Sequence, residues 1–329
     1  MANTMAGSSR LNRALTLVAT AVLAAATACA GSTSSPPADP AAGPSSPAAA
    51  GPITVYTLDR PEHRVPVPIV WHADSRSFFV GTWHDGTLYR GSIDDPTVRV
   101  FLEGQPGQAI SGLAIADSRL YVAGGMYNEI RIYDLETRTR VGTFGTGSDG
   151  HLFNLVVTDA GDIWVIDMVR PSLWHLTPEQ VASGTGTATA VPLTPEIPHV
   201  RGPDNLEGIV ALSDSRLVAV KFADGTLYRI DLDPQATERR TITPIAGATV
   251  PLGSGMTRDG GRLLIADEIG VAVVELDDEA TNGTVVARLR DPSFRDTAGV
   301  ARVDDRYLVV NAAWNHPPPY TVSSVPAAP

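Results

Sequence analysis

Residues 205–232 read NLEGIVALSDSRLVAVKFADGTLYRIDL. Three short strands are legible in this stretch: Gly208–Leu212 is apolar, Leu217–Phe222 is apolar and partly alternating, and Thr226–Leu232 alternates. Asp214-Ser215 and Ala223-Asp224-Gly225 separate them, and residues of this type favour tight turns between antiparallel strands. The unit recurs, because Gly86-Thr87-Leu88-Tyr89-Arg90 repeats Gly225-Thr226-Leu227-Tyr228-Arg229. A repeated unit of this size buries its apolar faces against its neighbours, so it takes precedence over any single motif.

Alignment on the third strand places its starts at Gly86, Asn128, Pro171, Gly225, Gly270 and Pro319, with spacings from 42 residues (86 to 128) to 54 residues (171 to 225). That is the range of four-stranded propeller blades. Inner strands are expected at Val67–Trp71, Gly112–Ala116, Asn154–Thr158, Gly208–Leu212, Gly255–Arg258 and Gly299–Val303. Second strands follow at Ser77–Gly81, Arg119–Ala123, Asp162–Ile166, Leu217–Lys221, Arg262–Ala266 and Tyr307–Asn311. Outer strands are expected at Thr97–Leu102, Arg140–Phe144, Thr187–Leu193, Thr237–Ile242 and Thr284–Leu289, which leaves the last blade without one. Ile53–Leu58 is an unassigned strand, and using it to complete the last blade closes the ring and removes free sheet edges. No segment keeps a helical period over a dozen residues. The expected fold is therefore all-β, a six-bladed β-propeller over residues 53–329, closed by an N-terminal outer strand. Thr177–Ile197 is expected as an irregular insertion around the third blade's outer strand.

Residues 1–30 read as an export signal. Arg10 and Arg13 precede an apolar run, Ala14–Ala28, which is too short for a comfortable transmembrane helix. Cys29 is the only cysteine, so no internal disulfide is available to it. Ala26-Thr27-Ala28-Cys29 resembles a bacterial lipoprotein box, with Ala26 in the position usually held by Leu; an ordinary signal peptide with an incidental cysteine is the other reading. Residues 31–52 are rich in Ser, Pro, Ala and Gly and read as a flexible tether. Lipid on Cys29, a tether and a folded body make an exported design in the bacterial cell envelope, lipid-anchored or secreted.

Over 329 residues the formal net charge is -11, which excludes a nucleic-acid surface and disfavours anionic partners. A hydrophobic content of 43% argues against bulk disorder. The histidines show no metal spacing, and the chain carries no HExxH, cysteine pair or GxSxG elbow.

The repeats resemble the gluconolactonase and regucalcin (senescence marker protein) family of six-bladed propellers. The residues that carry the resemblance are Leu206-Glu207-Gly208-Ile209, Gly225–Asp231, Phe153-Asn154 with Asp159-Ala160-Gly161, and Gly255-Met256, within Ile53–Val325. The resemblance implies a divalent-metal site at one mouth of the central channel, with a Glu from the first blade, an Asn from the fourth and an Asp from the fifth. It also implies an Asn of the third blade near substrate, and hydrolysis of a lactone by metal-activated water. The first-blade position falls on Val67, the third on Asn154, the fourth on Glu207 and the fifth on Ser254. Glu207 and Asn154 are then the residual ligands, suited to Ca²⁺, Mg²⁺, Mn²⁺ or Zn²⁺.

Antiparallel order brings the start of each inner strand and the end of each second strand to the same end of the propeller. That end gathers Asn154, Glu207, Ser254, Asp167, Lys221, Asp267, Glu268, Asn311 and Trp83-His84. Asp167 is the candidate water-orienting base, and Asn154, Lys221 and Asn311 are candidate groups for binding a polar small molecule. Each could instead cap a strand end, and Lys221 could pair with Glu207. Two functions from different classes remain open: a metal-assisted hydrolase, and a non-catalytic propeller that binds a small polar molecule or an exported protein partner. A monomer that meets the membrane only through its lipid is expected in either case.

Overall fold

The computed structural model describes residues 54–60, 65–147, 149–202, 204–233, 240–314 and 316–328. The expected signal segment, the tether, Cys29 and Ile53 lie outside the described residues.

The stretch quoted above folds as three strands, Leu206–Ser213, Arg216–Lys221 and Thr226–Leu232, and Arg240–Thr249 completes the blade on the outside. The order within this sheet is sequential and every neighbour is antiparallel. Five further blades follow the same plan, giving six in all. The last blade runs Thr297–Val303, Arg306–Asn311 and Thr321–Pro326, and Val55–Leu58 pairs antiparallel with its third strand. The same strand pairs in parallel with the first blade's outer strand, Thr57 opposite Thr97 and Leu58 opposite Val98, so the ring is closed by the N-terminal strand.

The apolar alternation in Arg216–Lys221 explains how one blade serves two neighbours. Successive side chains point to opposite faces of a strand. Leu217 and Ala219 join a buried cluster with Trp164 and Ile166 of the third blade. Val218 and Val220 join another with Leu263 and Ile265 of the fifth blade. A middle strand is thus buried on both faces and reads as a continuous apolar run, as the sequence does. Burying each such Val or Leu contributes about 1.5–3 kcal/mol relative to exposure.

The glycine that opens the repeated GTLYR unit has a specific cause. Gly86 and Gly225 adopt φ of +70° and +75°, conformations that cost a residue with a side chain. A Cβ on Gly86 would collide with the Gln108 carbonyl, and one on Gly225 with the backbone of Val250 and Pro251. Each glycine admits the chain that leads into the next blade.

The structure differs from the sequence reading at residues 177–197. Pro178–Ser183 is a helix with Thr177 as its N-cap, where Gln180 N–H donates to Thr177 Oγ1 at 3.3 Å and Thr177 N–H donates to Gln180 Oε1 at 2.9 Å. Thr185–Thr187 then pairs in parallel with Arg140–Gly145, the second blade's outer strand, before Thr189–Pro192 closes the third blade. The insertion is ordered by a capping box and by a strand added to the neighbouring sheet.

Candidate functional site at the channel mouth

The turn after each second strand needs acceptors for the amide groups that start the third strand, and the polar rim residues supply them. Asp85 Oδ1 accepts from Thr82 Oγ1 (2.8 Å) and from Thr87 N–H (3.1 Å). Asp224 Oδ1 accepts from Thr226 N–H at 3.0 Å. Its other oxygen takes the Lys221 ammonium at 2.9 Å. Burial pushes the Asp224 carboxyl up, and these bonds outweigh it, so its pKa lies below the usual value.

Asp167 is 2% exposed and its carboxylate is filled. Oδ1 accepts from the N–H groups of His151 (3.1 Å), Val169 (3.0 Å) and Arg170 (3.0 Å), and Oδ2 accepts from Trp174 Nε1 at 3.2 Å. This geometry makes Asp167 the cap of its turn, tied both to the lead-in of its own inner strand and to its third strand. Asn311 is 1% exposed. It accepts from Arg295 N–H at 2.9 Å and donates to Thr321 Oγ1 and Ser323 Oγ, both at 2.9 Å. Asp267 takes Arg288 at 3.1 Å and Arg290 at 3.0 Å on one oxygen.

Asn154 and Glu207 are brought together through the main chain: Asn154 Nδ2 donates to the Glu207 carbonyl at 2.7 Å, joining the third and fourth blades. Glu207 is 3% exposed, Ser254 5% and Val67 1%. The residues at the positions implied by the resemblance do not fit a divalent metal. Val67 offers no donor and Ser254 is a weak neutral one, which leaves the Glu207 carboxylate and the Asn154 side-chain oxygen, too few for a hard divalent cation. Among the described residues, no three His, Cys, Asp or Glu side chains are grouped to hold a metal ion.

Aromatic side chains occupy the place above this layer. The Trp83 ring lies 4.9 Å from His151, 5.7 Å from Phe153 and 5.7 Å from Trp314. Trp83 and Trp314 follow second strands, while His151 and Phe153 lie at the start of an inner strand, so all four belong to the same end of the propeller. Val67, Leu206 and Ala298, at the starts of other inner strands, are buried in the same cluster as Phe153. Burial lowers the His151 pKa, with the nearby Asp167 charge acting in the opposite direction. Trp83 was legible as a rim residue. His151 and Trp314 carry no local signal of their role, since they meet Trp83 only when the ring closes.

No family model and no curated protein sequence matches this chain. Solved structures match it in fold. A protein assigned as a gluconolactonase superposes with a TM-score of 0.58 at 12% identity, over 80% of this chain and 89% of that one. A luciferin-regenerating enzyme gives 0.58 at 15% identity, over 84% and 96%. Virginiamycin B lyase from Staphylococcus aureus gives 0.56 at 12%, over 83% and 88%. At these identities the likeness establishes the β-propeller fold and leaves the chemistry to the residues.

Proposed function

We propose that the protein is an exported binding propeller, carried in the bacterial cell envelope on a lipidated Cys29 or secreted, whose closed channel mouth recognises an exported protein partner. The observation that carries this reading is the packed aromatic cover of Trp83, His151, Phe153 and Trp314 over an apolar layer containing Val67. Metal-assisted hydrolysis needs an open polar cavity there. Exposed apolar side chains support the same reading. Met126 (54% exposed), Tyr127 (42%), Val169, Val200, Leu252 and Ile269 (66%) all lie in turns after second strands or in lead-ins to inner strands, hence around the same mouth. Exposed apolar side chains at this end of the propeller are available to a protein partner.

The second reading is metal-assisted hydrolysis of a lactone or similar ester with Glu207 and Asn154 as ligands. It draws on the buried Glu207 carboxylate and on the fold shared with a luciferin-regenerating enzyme and a protein assigned as a gluconolactonase. Calorimetric titration of the full chain carrying Cys29→Ser with Ca²⁺, Mn²⁺ and Zn²⁺, beside the same chain with Glu207→Ala, separates the two. The binding reading expects no heat that depends on Glu207. Micromolar binding abolished by Glu207→Ala would overturn it and restore the hydrolase.

A further inference from the structure

Two copies of the repeated unit differ in how they satisfy the same arginine. Arg90 and Arg229 are the last residues of the two GTLYR stretches. In the fourth blade Arg216 and Asp231 stand opposite each other on neighbouring strands, and in the first blade the same register holds Ser77 opposite Ser92. Asp231 serves both arginines of its blade: Arg216 Nε donates to Oδ1 at 2.7 Å and Arg229 Nε lies 2.8 Å from Oδ2. The fifth blade completes the cluster with Glu279, in the turn between its third and outer strands. The Glu279 carbonyl accepts from Arg229 Nη1 at 2.6 Å, and its carboxylate lies 3.8 Å from Arg216 Nη1. Two guanidiniums therefore meet two carboxylates.

The first blade keeps the arginine and lacks these carboxylates. Arg90 Nε donates to Ser77 Oγ at 3.0 Å, and its guanidinium stands 5.8 Å from the centre of the Phe79 ring. The corresponding turn of the second blade brings in Arg138, whose guanidinium stands 4.6 Å from the centre of the Phe101 ring. The two rings meet edge to face, with centres 5.2 Å apart. Among the described residues neither guanidinium is paired with a carboxylate. Ser77, Arg90, Ser92, Arg99 and Arg138 line one cleft of 440 Å³, and the carboxylate in its lining, Asp95, is paired with Arg99. Three guanidiniums against one carboxylate leave two positive charges, in a chain whose net charge is -11. A second cleft, of 350 Å³, shares Arg90 and Ser75 with the first and carries Asp74, Asp117 and Glu136.

We propose that the cleft between the first and second blades is a binding site for a phosphate monoester of a polyol, whose phosphoryl group takes the place that the Asp231 carboxylate holds in the fourth blade. A phosphate monoester carries about -1.5 to -2 charge at pH 7, which matches the local surplus. Guanidinium groups offer it forked, charge-assisted donors. The net charge of the chain disfavours anions over the surface at large, so the site depends on this local surplus. Asp74, Asp117 and Glu136 in the adjoining cleft repel a second anionic group and accept hydrogen bonds from hydroxyls, which suits a polyol there. The cleft is built from turns between inner and second strands and between third and outer strands, at the end away from the covered mouth. The site is independent of that mouth, and its success or failure leaves the partner-binding reading untouched.

The test is calorimetric titration of the full chain carrying Cys29→Ser with glycerol 3-phosphate, inorganic phosphate and, as the uncharged counterpart, glycerol. Glycerol 3-phosphate is expected to bind one to one and more tightly than inorganic phosphate, and glycerol alone to give no heat. Arg90→Ala is expected to weaken both phosphates about tenfold, the loss of one charge-assisted hydrogen bond. Arg138→Ala, on an exposed turn, tests the same site without touching the sheet and should give a similar loss. Ser92→Asp installs the carboxylate of the fourth blade; it should abolish binding of both phosphates and leave the thermal midpoint unchanged or raised, which separates a filled site from a lost fold. Arg258→Ala, where the inner strands end, changes neither phosphate. Co-sedimentation with phosphatidylcholine vesicles containing phosphatidic acid distinguishes the source: binding lost in Arg138→Ala places the monoester on a lipid, and no binding beside a positive titration places it on a soluble molecule. The proposal is overturned if neither phosphate binds, if glycerol 3-phosphate binds no more tightly than inorganic phosphate, or if Ser92→Asp binds both as before. It is equally overturned if Arg258→Ala abolishes binding.

Discussion

At the end where the inner strands begin, the channel is covered by Trp83 and Trp314; where the same strands finish, it stays open between Trp71 and two arginines. The six blades are near-repeats, so the difference does not come from the fold. It comes from what the turns must do. The covered end holds the turns after second strands and the lead-ins from one blade to the next, and these have amide groups to satisfy and neighbours to join. Asp85, Asp167, Asp224 and Asn311 each serve that need. The open end holds the turns between inner and second strands and the links from third to outer strands, and polar residues bond there too: Asp214 Oδ1 takes the Ala160 amide of the neighbouring blade at 2.8 Å, and Asp259 Oδ2 takes the Tyr307 hydroxyl at 2.8 Å. The polar residues of the covered end are committed to turns and lead-ins, whereas at the open end Arg258 bonds only to main-chain carbonyls.

The sharpest way to break this contrast is to remove a committed residue. Asp167→Ala strips one buried acceptor from three amide groups and an indole. Leaving a buried donor unsatisfied costs about 1–3 kcal/mol, and Asp167 serves several. The variant should lose about 4 kcal/mol in urea unfolding, with Asp167→Asn in between. If Asp167→Ala keeps its stability, the carboxylate is not a cap, and the water-orienting role becomes the better reading.

The blade plan was readable because a strand buried on both faces must be apolar throughout, as Leu217–Val220 is, and because Gly86 and Gly225 repeat for a steric cause. The closing strand was readable by elimination, as the last blade lacked an outer partner for Thr321–Pro326. The helix Pro178–Ser183 was visible in Thr177-Pro178-Glu179-Gln180, a capping box with proline at the first helical position, and was obscured by the shortness of the helix. The strand at Thr185–Thr187 was not readable, since its partner lies in another blade. At the mouth, sequence located the polar residues and could not say what they bond. Whether an aspartate faces water or three amide groups depends on turn conformation, which composition does not encode. The lysine shows the same limit: sequence leaves Lys221 able to pair with Glu207 on its own blade, and its ammonium reaches Asp224 across the turn.

Trp83→Ala tests the cover itself. The ring is half-buried and touches three other rings from the third and last blades. Its removal should cost about 2 kcal/mol, below the range for a fully buried Trp, and should shift the urea midpoint without changing the β-sheet circular dichroism. A loss near zero would mean that the mouth is loosely covered and that the two ends differ less than the geometry indicates.

The smallest effect is expected at the open end, and it bears most directly on the contrast. Arg258→Ala removes an exposed cation whose hydrogen bonds run to the carbonyls of Ala211, Leu212 and Gly260 at the ends of strands. Water can replace those donors, so the urea midpoint should move by no more than about 0.5 kcal/mol, as for other surface positions. A residue that contributes little to stability and stands where the channel opens between the inner-strand ends is available for a ligand. If Arg258→Ala instead destabilises the protein as strongly as Trp83→Ala, the arginine is a brace between the fourth and fifth blades. Both ends of the channel would then be structural, and the contrast between them would reduce to one of hydrophobicity.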